Sequence, residues 1–215
     1  MHIDRRDTPY NAGETALLLV DMQRIWLEPG LDPFRTEWSR EHYFYVETRE
    51  RTIPNASRLL DEARKHEIEV IHTVIQSLTH DGRDRSLDHK LSQIHLPPND
   101  DRARVIDALA PTADEIVLPK TSSGVFNSTR LDYVLRNIGI RFLVIAGILT
   151  DQCVDMAVRD GADLGYAVTC VGDACAAPSR QRHDAALAAF GGYCWVASTD
   201  IVTARFRSIK QRSNR

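Results

Sequence analysis

Cys153 lies in Gly147-Ile148-Leu149-Thr150-Asp151-Gln152-Cys153, directly after the apolar run Phe142-Leu143-Val144-Ile145-Ala146. This pattern predicts a buried strand that hands a thiol to the first turn of a helix, with Thr150 as N-cap and Cys153 as the third helical residue. Unpaired backbone N–H groups and the positive end of the helix dipole meet there, and both stabilise a thiolate. A free thiol with a pKa of ~8.5 is mostly protonated at neutral pH, and such a setting can lower that value by one to several units. The competing reading is a structural cysteine, since free Cys ranks among the most buried residue types.

Two more groups stand where chemistry could use them. Asp21 ends the apolar stretch Leu17-Leu18-Leu19-Val20, and Lys120 follows Ile116-Val117-Leu118-Pro119. A carboxylate, an ammonium and a thiol at one edge of one sheet supply a base, an electrostatic partner and a nucleophile. Taken singly, Asp21 also reads as a loop cap and Lys120 as a solvated surface lysine. Positioning all three requires strands at Ala16–Val20, Glu69–Ile75, Glu115–Leu118, Phe142–Ala146, Ala167–Val171 and Tyr193–Ala197, which have the length and β-branched content of buried parallel strands. Helical spacing lies between most of them. Ile53, Ala56, Leu59, Leu60 and Ala63 share one face behind a Thr52 cap, and Leu131, Val134, Leu135 and Ile138 repeat the pattern and stop at Gly139. Further helices are expected over Thr150–Leu164, Arg180–Phe190 and Asp200–Lys210. Alternating strands and helices predict an α/β fold: a doubly wound, parallel, six-stranded sheet with helices on both faces. In such sheets ligands bind beyond the carboxyl ends of the strands, where these three residues fall.

Composition narrows the function. At 215 residues and 43% hydrophobic content, the chain suits one domain spanning 1–215. A net charge of -3 with scattered basic residues predicts no nucleic-acid partner. No apolar run reaches membrane-span length and the N-terminus lacks a signal-peptide stretch, so no membrane partner and a cytoplasmic location are expected. Cys153, Cys170, Cys175 and Cys194 form no Cys-x-x-Cys pair, and reduced thiols are the default.

The strand ending Val20-Asp21-Met22-Gln23, the segment Leu118-Pro119-Lys120-Thr121-Ser122-Ser123-Gly124-Val125-Phe126 and the segment Gly147 to Val154 together resemble the cysteine hydrolases of the isochorismatase-like superfamily. With Gly172-Asp173-Ala174-Cys175-Ala176, the resemblance extends from about residue 14 to 203. It implies a catalytic triad of Asp21, Lys120 and Cys153. It also implies a non-proline cis peptide between Ile148 and Leu149, and an oxyanion hole made by the backbone N–H groups of Leu149 and Cys153. The implied reaction is hydrolysis of a C–N bond in a small amide, ureido or carbamoyl compound through a thioester, without a cofactor. Nicotinamidases of this superfamily hold a metal through an Asp-x-His unit. Here that region reads Gln76-Ser77-Leu78-Thr79-His80, and His72, His80, His89 and His95 lack a metal-ligand spacing, so no metal is expected. Glu28-Pro29-Gly30 after the first strand is similar to ureidoacrylate amidohydrolases. Ala188-Ala189-Phe190-Gly191-Gly192 lacks the Gln that biuret hydrolases place there.

Gln23, Trp26, Phe126 and Thr150 are expected to line the pocket, with packing under the next helix as the other reading of Phe126. Arg83 and Arg85 are candidates to meet a substrate carboxylate, or are simply solvated. The long connection from Leu27 to Arg51, with Phe34, Trp38, Tyr43, Phe44 and Tyr45, should cover the site or bury its aromatics against another subunit, which predicts a homodimer or larger homo-oligomer. Two other classes compete. A receiver domain also places Asp and Lys at strand ends, but it wants an acceptor Asp where Lys120 stands. A catalytically silent binding protein, scaffold or thiol redox sensor would need none of the three residues.

Overall fold

The computed structural model describes residues 3–209 apart from 12 and 113. In chain order the elements are β1 (Thr15–Val20), α1 (Arg24–Leu27), α2 (Tyr43–Glu47), α3 (Ile53–Lys65), β2 (Glu69–Ile75), α4 (Leu87–Leu91), β3 (Ile116–Lys120), α5 (Val125–Ser128), α6 (Leu131–Ile138), β4 (Phe142–Ile148), α7 (Cys153–Asp163), β5 (Ala167–Ala176), α8 (Arg180–Ala189), β6 (Trp195–Ala197) and α9 (Thr199–Ser208). The strands form one parallel sheet in the order β3-β2-β1-β4-β5-β6. From β1 the chain winds outward through β2 to β3, then returns to β4 and winds the other way. Right-handed crossovers therefore place α3 on one face and α6 and α7 on the other. The central strands β1 and β4 are buried along their whole length, which is why they read as unbroken apolar runs.

Several boundaries differ from the sequence expectation, each for a physical reason. β3 runs through Pro119 to Lys120, because β3 is an edge strand, where a missing N–H need not cost a ladder bond. β5 continues past Val171 to Ala176, because the ladder with β4 breaks register between Ile145 and Gly147 and then resumes with Gly147 opposite Cys175. Thr52 is not a helix cap. A π-helical turn over Thr48–Thr52 joins α2 to α3, and the Thr52 hydroxyl donates to the Cys175 carbonyl at 3.4 Å. The second half of the Leu27–Arg51 connection is thus helical. Gly139 adopts the left-handed conformation expected of a residue ending α6. The expected end of the last helix at Lys210 lies outside the described residues. Among those residues, no helix is long and apolar enough to cross a membrane.

One glycine decides how closely the two central strands meet at the ligand edge. Gly147 has φ +129, and a Cβ there would sit 2.2 Å from the Val20 carbonyl oxygen. Only glycine lets β4 approach β1 at the residue before Asp21. Asp21 itself turns the chain with φ 53, a left-handed conformation that Asp tolerates better than most residues.

Candidate active site

Asp21, Lys120 and Cys153 come from the ends of β1 and β3 and the start of α7, and they meet beyond the carboxyl ends of the strands. Lys120 lies two strands from β1, a separation of about 10 Å at ordinary strand spacing. Its long stem crosses over β2 and brings Nζ to 2.9 Å from Asp21 Oδ2 and 3.4 Å from Cys153 Sγ. The same ammonium donates to the carbonyls of Ser122 at 2.9 Å and Ser123 at 3.2 Å. Thr73 of β2 holds the other carboxylate oxygen, its hydroxyl donating to Asp21 Oδ1 at 2.9 Å, while the Asp21 amide donates to the Thr73 carbonyl. Both partners of the ion pair are almost fully buried.

Burial reverses the expected effect on the thiol. α7 begins at Cys153, not at Thr150, and its capping residue Gln152 makes no side-chain cap. Cys153 is 6% exposed, and loss of water pushes its thiol up to about 12, with the Lys120 ammonium pulling down and the Asp21 carboxylate pushing up. The helix terminus does not outweigh desolvation, and the net shift favours the neutral thiol. For Lys120, burial alone would lower the pKa, but the neighbouring Asp21 and Cys153 overrule it and the net shift is upward.

The chain between β4 and α7 brings Leu149 and Cys153 to the wall of one cavity. The Ile148–Leu149 peptide is cis. Among the described residues, the N–H groups of Leu149 and Cys153 have no acceptor, whereas Thr150 N–H donates to the Ala176 carbonyl and Gln152 and Val154 both donate to the Leu149 carbonyl. Two unclaimed donors on residues of the wall that carries the thiol are suited to an oxyanion.

A cavity of about 400 Å³ opens onto Asp21 and Cys153. Trp26 and Leu149 line it; Gln23, Phe126 and Thr150 do not. Gln23 is fully buried, and its carboxamide is consumed by Ile75 N–H, the carbonyls of Ile75 and Ala103, and Trp26 Nε1. It therefore pins the loop after β1 to β2. Phe126 stacks on Tyr166 at 6.1 Å, under α7. The Thr150 hydroxyl pairs with His183 Nδ1 at 2.8 Å, behind the site. Arg83 pairs with Asp81 on the surface, and Arg85 donates to the carbonyls of Gly82 and Ile94, so neither reaches the cavity.

The residues that reading by sequence missed come from the segments folded over the sheet edge: Asp32, Phe34 and Arg35 from the long connection, His89 and Ser92 from α4 and its end, and Gln152. Arg35 is half-buried between the Trp38 and Phe44 rings, at 4.8 and 4.9 Å, with Asp32 at 3.1 Å. The Asp32-x-x-Arg35 spacing was the available signal for this pair. Of the aromatic run, Phe44 and Tyr45 are buried within the chain, Trp38 and Tyr43 are half-buried, and Phe34 lines the cavity while remaining 47% exposed. His72 is a core residue, its Nε2 at 3.3 Å from Glu115. Among the described residues, no three or more His, Cys, Asp or Glu side chains are grouped to hold a metal.

Known proteins resemble this chain in sequence and fold. A cysteine hydrolase from Pseudomonas syringae pv. phaseolicola 1448A superposes with a TM-score of 0.80 at 27% identity, covering 93% of this chain and 95% of that one. Ureidoacrylate amidohydrolase RutB of Pseudomonas syringae pv. syringae is 38% identical over 113 residues, 51% of this chain and 46% of that protein. The match thus spans about half the length of that relative. A protein of Arabidopsis thaliana named "Probable inactive nicotinamidase" is 32% identical over 178 residues, 80% of this chain and 85% of its own. The model of the Isochorismatase domain matches residues 15–201. That match runs from the first residue of β1 into α9, taking in the whole sheet and every element that positions the site, and on that evidence the chain belongs to the isochorismatase-like superfamily of hydrolases.

Proposed function

We propose that the protein hydrolyses a carbon–nitrogen bond of a small amide, ureido or carbamoyl compound, with Cys153 as nucleophile. The observation that carries this reading is the contact of one buried ammonium with both a carboxylate and a thiol, at 2.9 and 3.4 Å, where the residues bearing that carboxylate and thiol line a cavity. A volume of about 400 Å³ suits a small molecule. The names of two relatives, a cysteine hydrolase and a ureidoacrylate amidohydrolase, support the same class.

The resting thiol needs a base, and Asp21 is the carboxylate beside it. As the sulfur attacks the carbonyl carbon, its proton passes to Asp21 and the carbonyl π pair moves onto oxygen. The Leu149 and Cys153 amides stabilise that oxyanion, a contact of a kind that supplies about 3 kcal/mol. Collapse re-forms the carbonyl and breaks the C–N bond, and Asp21 returns the proton to the departing ammonia or amine. The product on sulfur is a thioester, or a thiocarbamate from a ureide. Water then attacks it, giving its proton to Asp21, and the second collapse expels the sulfur, which recovers the proton. Lys120 stays charged throughout and keeps Asp21 and the sulfur from repelling one another. No organic cofactor takes part.

The test is ammonia release from a panel of small amides and ureides, with Cys153→Ala beside wild type. Activity abolished in a variant that melts like wild type is the expected result. A Cys153→Ala protein with near wild-type kcat overturns the mechanism. The second reading, a silent binding protein, takes its support from the relative named as inactive, and it predicts no ammonia from any compound.

A further inference from the structure

His89 has no part in the steps above, yet it is built into the same cavity. It projects from α4 into a space shared with Asp21 and Cys153 and is only 1% exposed. Neither Nδ1 nor Nε2 has a hydrogen-bond partner. Buried polar groups are almost always paired, so a ring with both nitrogens unmet on a cavity wall points to a partner that arrives from outside. The backbone that carries it is held before any ligand binds. The His89 amide donates to Ser86 Oγ at 3.2 Å, and the Ser86 amide donates to the Thr121 carbonyl at 2.9 Å. Arg85 ties both ends of the excursion, donating to the Gly82 carbonyl at 2.9 Å and the Ile94 carbonyl at 2.7 Å.

The chemistry of the ring selects its partner. Burial, then the Lys120 ammonium, pushes the His89 pKa down, which leaves a neutral imidazole with one N–H donor and one bare acceptor. The two nitrogens point away from each other around the ring, so one compact group meets only one of them, and by exchanging tautomers a neutral ring answers either an N–H or a carbonyl. We propose that His89 is a substrate-recognition residue, one ring nitrogen of which hydrogen-bonds the ureido or primary carboxamide attached at the scissile bond. This rests on the reading of Cys153 as nucleophile.

Two thiol reagents separate recognition from shape. Iodoacetamide brings a primary carboxamide to Cys153, whereas methyl methanethiolsulfonate transfers only a methylthio group. Rates of Cys153 modification are measured by mass spectrometry in wild type, His89→Phe and His89→Gln, with melting curves for each. The iodoacetamide rate should fall roughly fivefold to tenfold in His89→Phe and largely recover in His89→Gln, which restores a donor and an acceptor, while the methylthiolation rate stays unchanged. If His89→Phe does not fold, His89→Leu replaces it in the comparison. Equal losses with both reagents, or no loss with either, overturn the inference and leave the nucleophile standing. A wild-type Cys153 that neither reagent modifies takes the nucleophile reading down, and the role of His89 with it.

Discussion

Removing one charge of the Lys120–Asp21 pair should destabilise the protein far more than its size suggests, and removing both should restore much of the loss. The two side chains are 0% and 2% exposed and 2.9 Å apart. Lys120→Met leaves a buried carboxylate with only the Thr73 hydroxyl on it, and it strips the Ser122 and Ser123 carbonyls of their donor. Asp21→Asn leaves the ammonium without its counter-charge. Breaking a buried pair from one side costs about 3–5 kcal/mol, whereas exchanging both charges for neutral groups of similar volume is often close to neutral. The double variant should therefore be more stable than the sum of the single losses by about 2 kcal/mol or more. The assay is urea unfolding at neutral pH of all four proteins as a double-mutant cycle, with ammonia release measured on the same samples. All three variants should be inactive, including the restabilised one. Single losses that add to within about 0.5 kcal/mol would show that the pair is not energetically coupled, and the electrostatic argument would fail. Turnover by the double variant would remove both residues from the chemistry.

Three shorter predictions follow from other parts of the molecule. With the Cys153 thiol pushed up to about 12, its alkylation by iodoacetamide should rise about tenfold per pH unit between roughly pH 6 and 9; a plateau near neutrality would mean an ionised sulfur. Glu115 is held at about 2 against an ordinary 4.5, because the Arg64 guanidinium, the Thr112 amide and His72 overcome its desolvation. A depressed folded pKa gives stability that is fully present above the unfolded value, so Glu115 should contribute above pH 4.5 and lose that contribution as pH falls toward about 2. Unfolding free energy measured across this window should decline less in Glu115→Gln than in wild type. Gln23→Leu leaves two carbonyls and two N–H groups without partners, which should cost about 1–3 kcal/mol in denaturant unfolding while kcat stays near wild type. A large fall in kcat at unchanged stability would return Gln23 to the reacting centre.

The sheet was legible because its strands are buried on both faces. Leu17 to Val20 and Phe142 to Ala146 have no solvated side, so their composition alone marks them, and Gly139 marks the end of α6 by its left-handed backbone. Boundaries that depend on pairing were not legible. Nothing local says that Pro119 can stay in a strand; the edge position of β3 decides it. The long connection kept two readings for the same reason. Its aromatics suit a cover or an interface in one dimension, and in three Trp38 and Phe44 pack on Arg35 while Phe34 stays exposed at the cavity.

The sequence by itself determined the fold class and the three groups at strand ends, because strand periodicity and the α/β crossover rule both act on neighbours along the chain. Tertiary structure alone decided the environment of the Cys153 thiol and the identity of the cavity wall. The Cys153 thiol is raised by desolvation, which depends on what packs around it and outweighs the local helix terminus that argued the other way. Gln23 and Thr150, close in sequence to Asp21 and Cys153, are consumed by hydrogen bonds elsewhere, while Arg35 and His89 reach the cavity from remote segments. Proximity along the chain fixes where a backbone starts. Which side chain faces a ligand is settled by long-range packing, a property no short stretch of residues contains.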